Sequence, residues 1–212
     1  MTFAKICGLS TAEAVGAALA GGAGWLGFVF FAASPRDIAP EGAARLAAPA
    51  RGRARIVAVT VDPDDALIDR LMLLLQPDLI QLHGGESPAR SAQIAARAGV
   101  GVIKALGISN DADLEAARDF ETVAEHLMFD AKAPEAGARP GGTGAAFDAT
   151  LLTGRRFARP WFLAGGLDPW NVTRAIGASG APMVDVSSGV ERGAGLKDPA
   201  LIAAFLEAVR RA

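Results

Sequence analysis

The chain has 212 residues and a formal net charge of −2, and apolar residues make up 51% of it. This length and apolar content allow one barrel-sized domain with a substantial core, and we treat residues 1–212 as a single domain. The only cysteine, Cys7, excludes an intrachain disulfide and a cysteine zinc site.

Charge and hydropathy patterns also exclude several kinds of partner. The densest basic run, RGRARI at residues 51–56, is shorter than the basic face that nucleic acid requires, and we interpret it as a solvated loop. No apolar run reaches the roughly 18 residues of a membrane span. The first residues, MTFAKICG, lack the apolar stretch of a signal peptide. We therefore expect a cytoplasmic protein that binds neither nucleic acid nor membranes.

Short apolar runs rich in β-forming residues recur along the chain, and we predict a strand at each. Most are continuous in hydropathy rather than alternating, which is typical of parallel strands covered on both faces. The predicted strands are residues 3–7, 25–31, 55–61, 79–83, 101–108, 126–130, 161–166 and 183–188.

Alanine- and leucine-rich segments of helical period lie between these strands. Several begin with a capping residue and a proline and end with a glycine, a pattern that favours helix termini at those points. In residues 62–76 we predict Asp62 as the N-cap and Pro63 as the first helical residue. The other predicted helices lie within residues 10–22, 87–99, 111–125, 168–180 and 197–212.

The regular alternation of strands and helices, with no linker, predicts a closed (β/α)8 TIM barrel with a parallel core and outer helices. The competing fold is an open doubly wound sheet, which usually has fewer strands and a glycine-rich first turn. Here the first turn reads CGLSTAE and lacks the G-x-G-x-x-G pattern. We therefore favour the barrel.

In such barrels the functional residues lie at the carboxyl ends of the strands. Cys7 ends the first predicted strand and Asp130 ends the sixth, so they are the candidate acid–base pair. A carboxyl group at an apolar strand end can keep its proton near neutral pH. A cysteine beside cations can be a thiolate, and Lys5 is a candidate cation. Cys7 can equally be a buried core residue, and Lys5 can equally pair with Asp185.

Glycine and hydroxyl residues cluster after the last two predicted strands. Backbone amides at such positions can approach an oxyanion, and loops seven and eight are the usual phosphate site of the barrel fold. The residues concerned are Gly165, Gly166, Ser187, Ser188 and Gly189.

The longest polar loop lies around residues 133–143 and contains Gly142 and Thr143. Long loops in compact domains are more often binding loops than idle connections. We expect this one to fold over the ligand and to add amides or Thr143 near the phosphate.

Two further candidate side chains follow the second and fourth strands. Arg36 comes after Pro35, which stiffens the turn, and a guanidinium is a natural fork for a carboxylate or phosphate. His83 ends strand four, where a ligand contact and a buried, hydrogen-bonded role are both open. His126 begins strand six at the opposite end of the barrel, so we interpret it as structural and expect no metal site.

A set of short motifs runs through the chain in order, from Lys5 to Asp198. They read KICGLS, LGFVF, SPR, QLHG, FDAK, GGTG, FLAGGLDPWNV and VDVSSGVERGAGLKD. KICG together with VDVSSGVE is specific, whereas the glycine motifs alone are not. Together they resemble the phosphoribosylanthranilate isomerase family of tryptophan biosynthesis.

The resemblance implies a barrel that isomerises the aminoaldose N-(5-phosphoribosyl)anthranilate to the corresponding 1-deoxyribulose 5-phosphate, without cofactor or metal. It implies Cys7 as the general base, Asp130 as the general acid and Arg36 as the residue that holds the anthranilate carboxylate. The family's phosphate-binding loops match Gly142, Thr143, Gly165, Gly166, Ser187, Ser188 and Gly189.

Two other interpretations stay open at this point. Another phosphate-binding barrel, such as a sugar-phosphate epimerase or indole-glycerol-phosphate synthase, would have the same phosphate-binding loops. A metal-dependent epimerase would need more than the two histidines present, and the synthase would use lysine and glutamate pairs. From a different class, the chain could be a non-catalytic sensor of a phosphate ligand with Cys7 as a redox switch. The expected partner is a small-molecule substrate, with the chain as a monomer or homodimer.

Overall fold

The computed structural model contains a closed barrel of eight parallel strands, and the structure describes residues 2–131 and 148–212. Each strand pairs with its neighbours in chain order, and the eighth pairs with the first, so the sheet has no open edge. The strands are β1 (Phe3–Cys7), β2 (Trp25–Phe30), β3 (Arg55–Thr60), β4 (Leu79–Leu82), β5 (Gly101–Ile108), β6 (His126–Ala131), β7 (Trp161–Leu163) and β8 (Met183–Val186). The predicted TIM barrel is confirmed.

The strand boundaries differ from the prediction mainly at the carboxyl ends. β7 stops at Leu163 and β8 at Val186, so the glycines and serines that follow them lie in loops rather than in the sheet. Residues such as Gly165, with φ +88°, take a backbone conformation that a strand does not use.

Seven α-helices are present in residues 2–131 and 148–212. They are α1 (Ala12–Ala20), α2 (Pro40–Ala47), α3 (Asp65–Leu74), α4 (Pro88–Ala98), α5 (Asp111–Ala117), α6 (Val172–Ser179) and α7 (Pro199–Arg210). None of these helices is long and apolar enough to cross a membrane. An antiparallel hairpin of β9 (Glu191–Gly193) and β10 (Leu196–Lys197) follows β8. Neither α2 nor this hairpin was predicted from the sequence.

Helix capping follows the sequence pattern at α4 but not at α3. Ser87 caps α4 by accepting a hydrogen bond from the Arg90 amide at 3.2 Å, and Pro88 is its first residue, as predicted. The predicted cap at Asp62 is wrong, because Asp64 accepts from the Leu67 amide at 2.8 Å. The Asp62 carboxylate instead accepts from the amide of Gly85, in the loop after β4.

Alternate residues of the strands form two separate cores, since successive side chains point to opposite faces of a sheet. One set packs against the helices and forms the larger outer core, which includes Ile6, Leu26 and Phe129. The other set fills the inside of the barrel. Cys7 belongs to the inner set and lies at the carboxyl end of its strand.

Candidate active site

Cys7 and Lys5 lie side by side on the inner face of β1. Gly27 on β2 stands opposite Cys7 in the strand register. A Cβ atom at Gly27 would lie 3.0 Å from Lys5 Nζ and 3.3 Å from Cys7 Sγ. The glycine therefore leaves the room that the ammonium and the thiol occupy.

Lys5 is fully buried and pairs with Asp185, its register partner on β8. Its Nζ donates to Asp185 Oδ1 at 2.8 Å. Burial alone would lower the pKa of this ammonium, but the Asp185 carboxylate raises it above its ordinary value. The sequence left open whether Lys5 pairs with Asp185 or lies beside Cys7, and in the structure it does both.

Burial works against a Cys7 thiolate, which the sequence left open beside a buried core role for this residue. Burial raises the pKa of the Cys7 thiol above its ordinary value of 9.0, and the Asp185 carboxylate raises it further. Lys5 and Lys197 lower it by less than this. Desolvation therefore outweighs the two ammonium groups, and Cys7 carries its proton at neutral pH.

Asp130, near the end of β6, is held on three sides. Its Oδ1 accepts from the Ala131 amide at 2.8 Å, and its Oδ2 lies 3.2 Å from His83 Nε2. The loop after β7 closes the third side, since a Cβ atom at Gly165 would lie 2.9 Å from Oδ1. His83, whose role the sequence left open, is therefore a neighbour of the candidate acid.

The candidate acid and base belong to strands three positions apart around the barrel, β6 and β1, with β7 and β8 between them. Both side chains are buried, and both are at the carboxyl ends of their strands. A ligand in the mouth of the barrel can therefore meet a carboxyl group on one side and a thiol on the other.

Arg36 follows β2 and forms a two-point ion pair with Glu191 of the hairpin. Its Nε lies 2.7 Å from Glu191 Oε1, and its Nη2 lies 2.9 Å from Oε2. Lys197 Nζ donates to the same carboxylate and, at 3.0 Å, to the Ser187 carbonyl. The Ser187 hydroxyl in turn donates to the Cys7 carbonyl at 3.2 Å.

No role for Glu191 or Lys197 was predicted from the sequence. A usable signal is present in ERGAGLK, where two charged residues flank a glycine-containing turn, as in a short hairpin. Burial opposes ionisation of Glu191, but the Arg36 hydrogen bond and the Lys197 charge lower the pKa of its carboxyl. Burial lowers the pKa of the Lys197 ammonium, and Glu191 acts against that effect.

The loops after β7 and β8 expose backbone amides at the same end of the barrel. Gly165 and Gly166 have φ of +88° and +64°, which glycine adopts without strain. A Cβ atom at Gly189 would lie 1.9 Å from the Leu167 carbonyl oxygen, so the two loops are in direct contact. Within the described ranges, no hydrogen-bond partner is present for the amides of Gly165, Gly166, Ser188 and Gly189.

Two predicted site residues, Gly142 and Thr143, lie outside the described residues. Among residues 2–131 and 148–212, no group of three or more histidine, cysteine, aspartate or glutamate side chains could hold a metal ion.

Comparison with known proteins agrees with this arrangement. The model of the N-(5'-phosphoribosyl)anthranilate isomerase family matches residues 4–208. The chain belongs to this family. The N-(5'-phosphoribosyl)anthranilate isomerase of Caulobacter vibrioides is 68% identical, over 99% of this chain and 96% of its own length. The chain is accordingly an isomerase of tryptophan biosynthesis.

Solved phosphoribosylanthranilate isomerases have the same fold. One, in complex with reduced 1-(o-carboxyphenylamino)-1-deoxyribulose 5-phosphate, superposes with a TM-score of 0.86 at 33% identity, and the match covers 100% of both chains. Another, of monomers generated from the dimeric isomerase of Thermotoga maritima, has a TM-score of 0.84 at 33% identity, again over 100% of both chains. The first of these structures therefore shows a solved isomerase of this fold with a small molecule bound.

Proposed function

We propose that this isomerase converts N-(5-phosphoribosyl)anthranilate to 1-(2-carboxyphenylamino)-1-deoxyribulose 5-phosphate, with Asp130 as the general acid and Cys7 as the general base. One observation carries this assignment of roles. Two buried proton-transfer groups meet the barrel mouth from β6 and β1, and each has a titratable neighbour, His83 beside Asp130 and Lys5 beside Cys7.

The chemistry needs one proton donor and one proton acceptor. Asp130 gives its proton to the furanose ring oxygen as the C1–O bond breaks, and the anilino nitrogen lone pair forms a C1=N iminium. Cys7 then removes the proton from C2, and the released electron pair moves toward nitrogen to give an enamine. Tautomerisation of the enamine gives the ketone. The substrate nitrogen is the electron sink, and a return of the proton from Cys7 to Asp130 restores the starting state.

The productive state has Cys7 as a thiolate, whereas the unliganded protein holds it as a thiol. Lys5 and Lys197 are the cations that favour ionisation of Cys7, and both are buried. We propose that these two cations lower the free-energy cost of forming the Cys7 thiolate during the reaction, while the thiol remains the stable form in the unliganded protein. That balance suits a base that must both release and regain a proton.

The remaining binding roles are proposals supported by position. Arg36 holds the anthranilate carboxylate, since its side chain packs on Gly8, the residue after Cys7, and its guanidinium pairs with Glu191. The amides of Gly165, Gly166, Ser188 and Gly189, which have no partner among the described residues, suit the 5-phosphate. We assign Gly142, Thr143 and Ser187 to the same phosphate-binding loops. We assign His83 and Asp185 to substrate binding beside Asp130 and Cys7.

The assay that tests this function follows the fluorescence of the anthranilate substrate as purified protein consumes it. We expect turnover in the wild type and almost none in Asp130→Asn, which keeps the shape of the side chain but removes the transferable proton. Activity should survive chelation with EDTA, and a dephosphorylated substrate should bind much more weakly. Full activity of Asp130→Asn would refute the acid assignment, and rescue of an EDTA-inactivated enzyme by a divalent ion would point to an epimerase-like site.

We also propose that residues 1–212 form one domain, that the protein is cytoplasmic without nucleic-acid or membrane partners, and that it is a monomer or homodimer. The dimeric Thermotoga maritima isomerase supports the second oligomeric state. The redox-sensor alternative is disfavoured, because a buried thiol with a raised pKa is a poor target for oxidation.

A further inference from the structure

The hairpin after β8 places one buried carboxylate, Glu191, between two cations from different parts of the chain. Arg36 lies 155 residues away in sequence and reaches it with two nitrogens, and Lys197 reaches it from the second strand of the hairpin. The Gly195 amide donates a further hydrogen bond to Glu191 Oε2 at 3.1 Å. The carboxylate therefore has little freedom to move.

Arg36 itself is fixed by its surroundings. Gly8, directly after Cys7, has φ +79°, and a Cβ atom there would lie 2.5 Å from Arg36 Cδ. Gly195 has φ +78°, and a Cβ atom there would lie 2.3 Å from the Pro35 carbonyl oxygen. The Arg36 stem thus packs on the backbone beside Cys7, and the hairpin turn packs on the backbone beside Arg36.

The ion pair uses only one edge of the guanidinium. Of the five N–H groups of an arginine, the contacts with Glu191 take Nε–H and one Nη2–H. The other edge keeps the two Nη1–H groups and the second Nη2–H, and no acceptor contacts Nη1 among the described residues. This free edge can grip a second carboxylate by a two-point contact while Glu191 holds the first edge.

The charges of the cluster agree with that geometry. Lys197 donates to three oxygens, from Glu191 and from the carbonyl and hydroxyl of Ser187, as an ammonium does. Arg36 and Lys197 then carry two positive charges against the single negative charge of Glu191. One positive charge remains uncompensated within the cluster, which leaves it able to bind an anionic group.

We propose that Glu191 is the positioning residue for substrate carboxylate recognition: it holds the inner edge of Arg36 so that the free edge faces the aromatic carboxylate. This inference rests on the proposed role of Arg36. Glu191 does not touch the reacting atoms. Its contribution is specificity for a ring that bears a carboxylate over one that does not.

The test compares kcat/KM for the anthranilate substrate with kcat/KM for the matching phosphoribosylated aniline, which lacks the ring carboxylate. In Glu191→Gln we expect the ratio of the two values to fall about ten-fold, mainly through a higher KM for the anthranilate substrate, because the fork loses its orientation. Glu191→Asp keeps the charge but shortens the reach, and we expect a fall in the same direction.

These variants separate positioning from two other roles. If Glu191 only offsets positive charge, Glu191→Gln raises the ratio and Glu191→Asp leaves it unchanged, and either result overturns the proposal. A purely structural role lowers both kcat/KM values together and keeps their ratio, which overturns it as well. Should Glu191→Gln fail to fold, judged by thermal melting, the ratio in Glu191→Asp decides the question.

Two controls complete the design. Glu41→Gln removes an exposed pair with Arg70, joined at 2.7 Å, and should leave the ratio unchanged. Arg36→Met should abolish the preference for the carboxylate. If Arg36→Met keeps the preference, the role of Arg36 in the proposed function fails. If only the Glu191 variants keep it, the positioning proposal fails alone.

Discussion

The two ends of the barrel interior are filled by opposite kinds of side chain. At the amino end, the rings of Trp25, His126 and Phe162 pack together, with centroids 5.0 Å apart for Trp25 and Phe162 and 5.6 Å apart for His126 and Phe162. At the carboxyl end, the interior holds the Cys7 thiol and the Asp130 carboxyl. One strand, β6, joins the two environments, since it begins at His126 and reaches Asp130 four residues later.

The two ends of the barrel interior contribute differently to the stability of the fold and to its reactivity. Aromatic packing at the amino end buries apolar area and stabilises the fold at neutral pH, where His126 is uncharged because burial lowers its pKa. Buried ionisable groups at the carboxyl end bring a desolvation cost that partners offset only in part, as the raised pKa of Cys7 shows. The carboxyl end is therefore expected to contribute reactivity, and the amino end stability.

The largest expected effect is on rate, at the carboxyl end. Cys7→Ala should lower kcat by on the order of 10²–10⁴, the usual size of a general-base contribution, with ligand affinity and melting temperature little changed. Steady-state kinetics and thermal melting measure the two quantities. A near-normal kcat would return Cys7 to a packing role and leave the base unidentified.

The opposite result is expected at the amino end. Phe162→Ala removes a fully buried ring from the inner core and should lower the free energy of unfolding by about 3–5 kcal/mol. The kcat of the folded fraction should change by less than about three-fold, because the ring packs on Trp25 and His126 at the amino end rather than at the barrel mouth. Urea denaturation and kinetics at low temperature test this. A large loss of kcat with unchanged stability would contradict the division between the two ends.

A smaller effect is expected on the pH dependence of Cys7 alkylation at the carboxyl end. The alkylation rate of Cys7 by iodoacetamide should rise with pH to a midpoint above 9.0, because only the thiolate reacts and burial raises its pKa. Asp185→Asn removes a carboxylate that raises this pKa and should move the midpoint to lower pH. Lys5→Met removes a cation and should move it to higher pH. Shifts of the same sign in both variants would show that the pair does not act on Cys7 through its charges.

The smallest expected effect is the pH dependence of stability at the amino end. Burial lowers the pKa of His126 below its ordinary 6.5, and nearby Arg55 lowers it further, while Glu125 acts against this. A histidine with a lowered folded-state pKa contributes stability that is present above about pH 6.5 and is lost as pH falls through the folded-state pKa. His126→Gln should therefore reduce the loss of stability on acidification by about 1 kcal/mol or less. Denaturation curves at pH 7.5 and near pH 5 test the difference, and an unchanged slope would exclude His126 as its source.

Much of the fold and part of the site could be predicted from the sequence. The eight strands follow from short continuous apolar runs, because a strand buried on both faces needs apolar residues at every position. Cys7 and Asp130 could be singled out because polar residues at the ends of such runs must lie at the mouth of the barrel. These predictions depend on neighbours along the chain, which the sequence contains.

Other features required the tertiary structure. The Arg36–Glu191 pair joins residues 155 positions apart, and no local pattern matches one charge to another at that distance. The Asp62 cap failed because the loop after β4 offers its carboxylate the amide of Gly85, which competes with the helix start.

The protonation state of Cys7 is another feature that required the tertiary structure. The residue pattern is enough to place the thiol at a strand end, two residues from a lysine. The pairing of Asp185 with that lysine, and the excess of the burial effect over the remaining positive charge, arise in the folded barrel. Desolvation and Coulomb energies depend on distances and burial in three dimensions, and these arise only when strands distant in sequence are brought together.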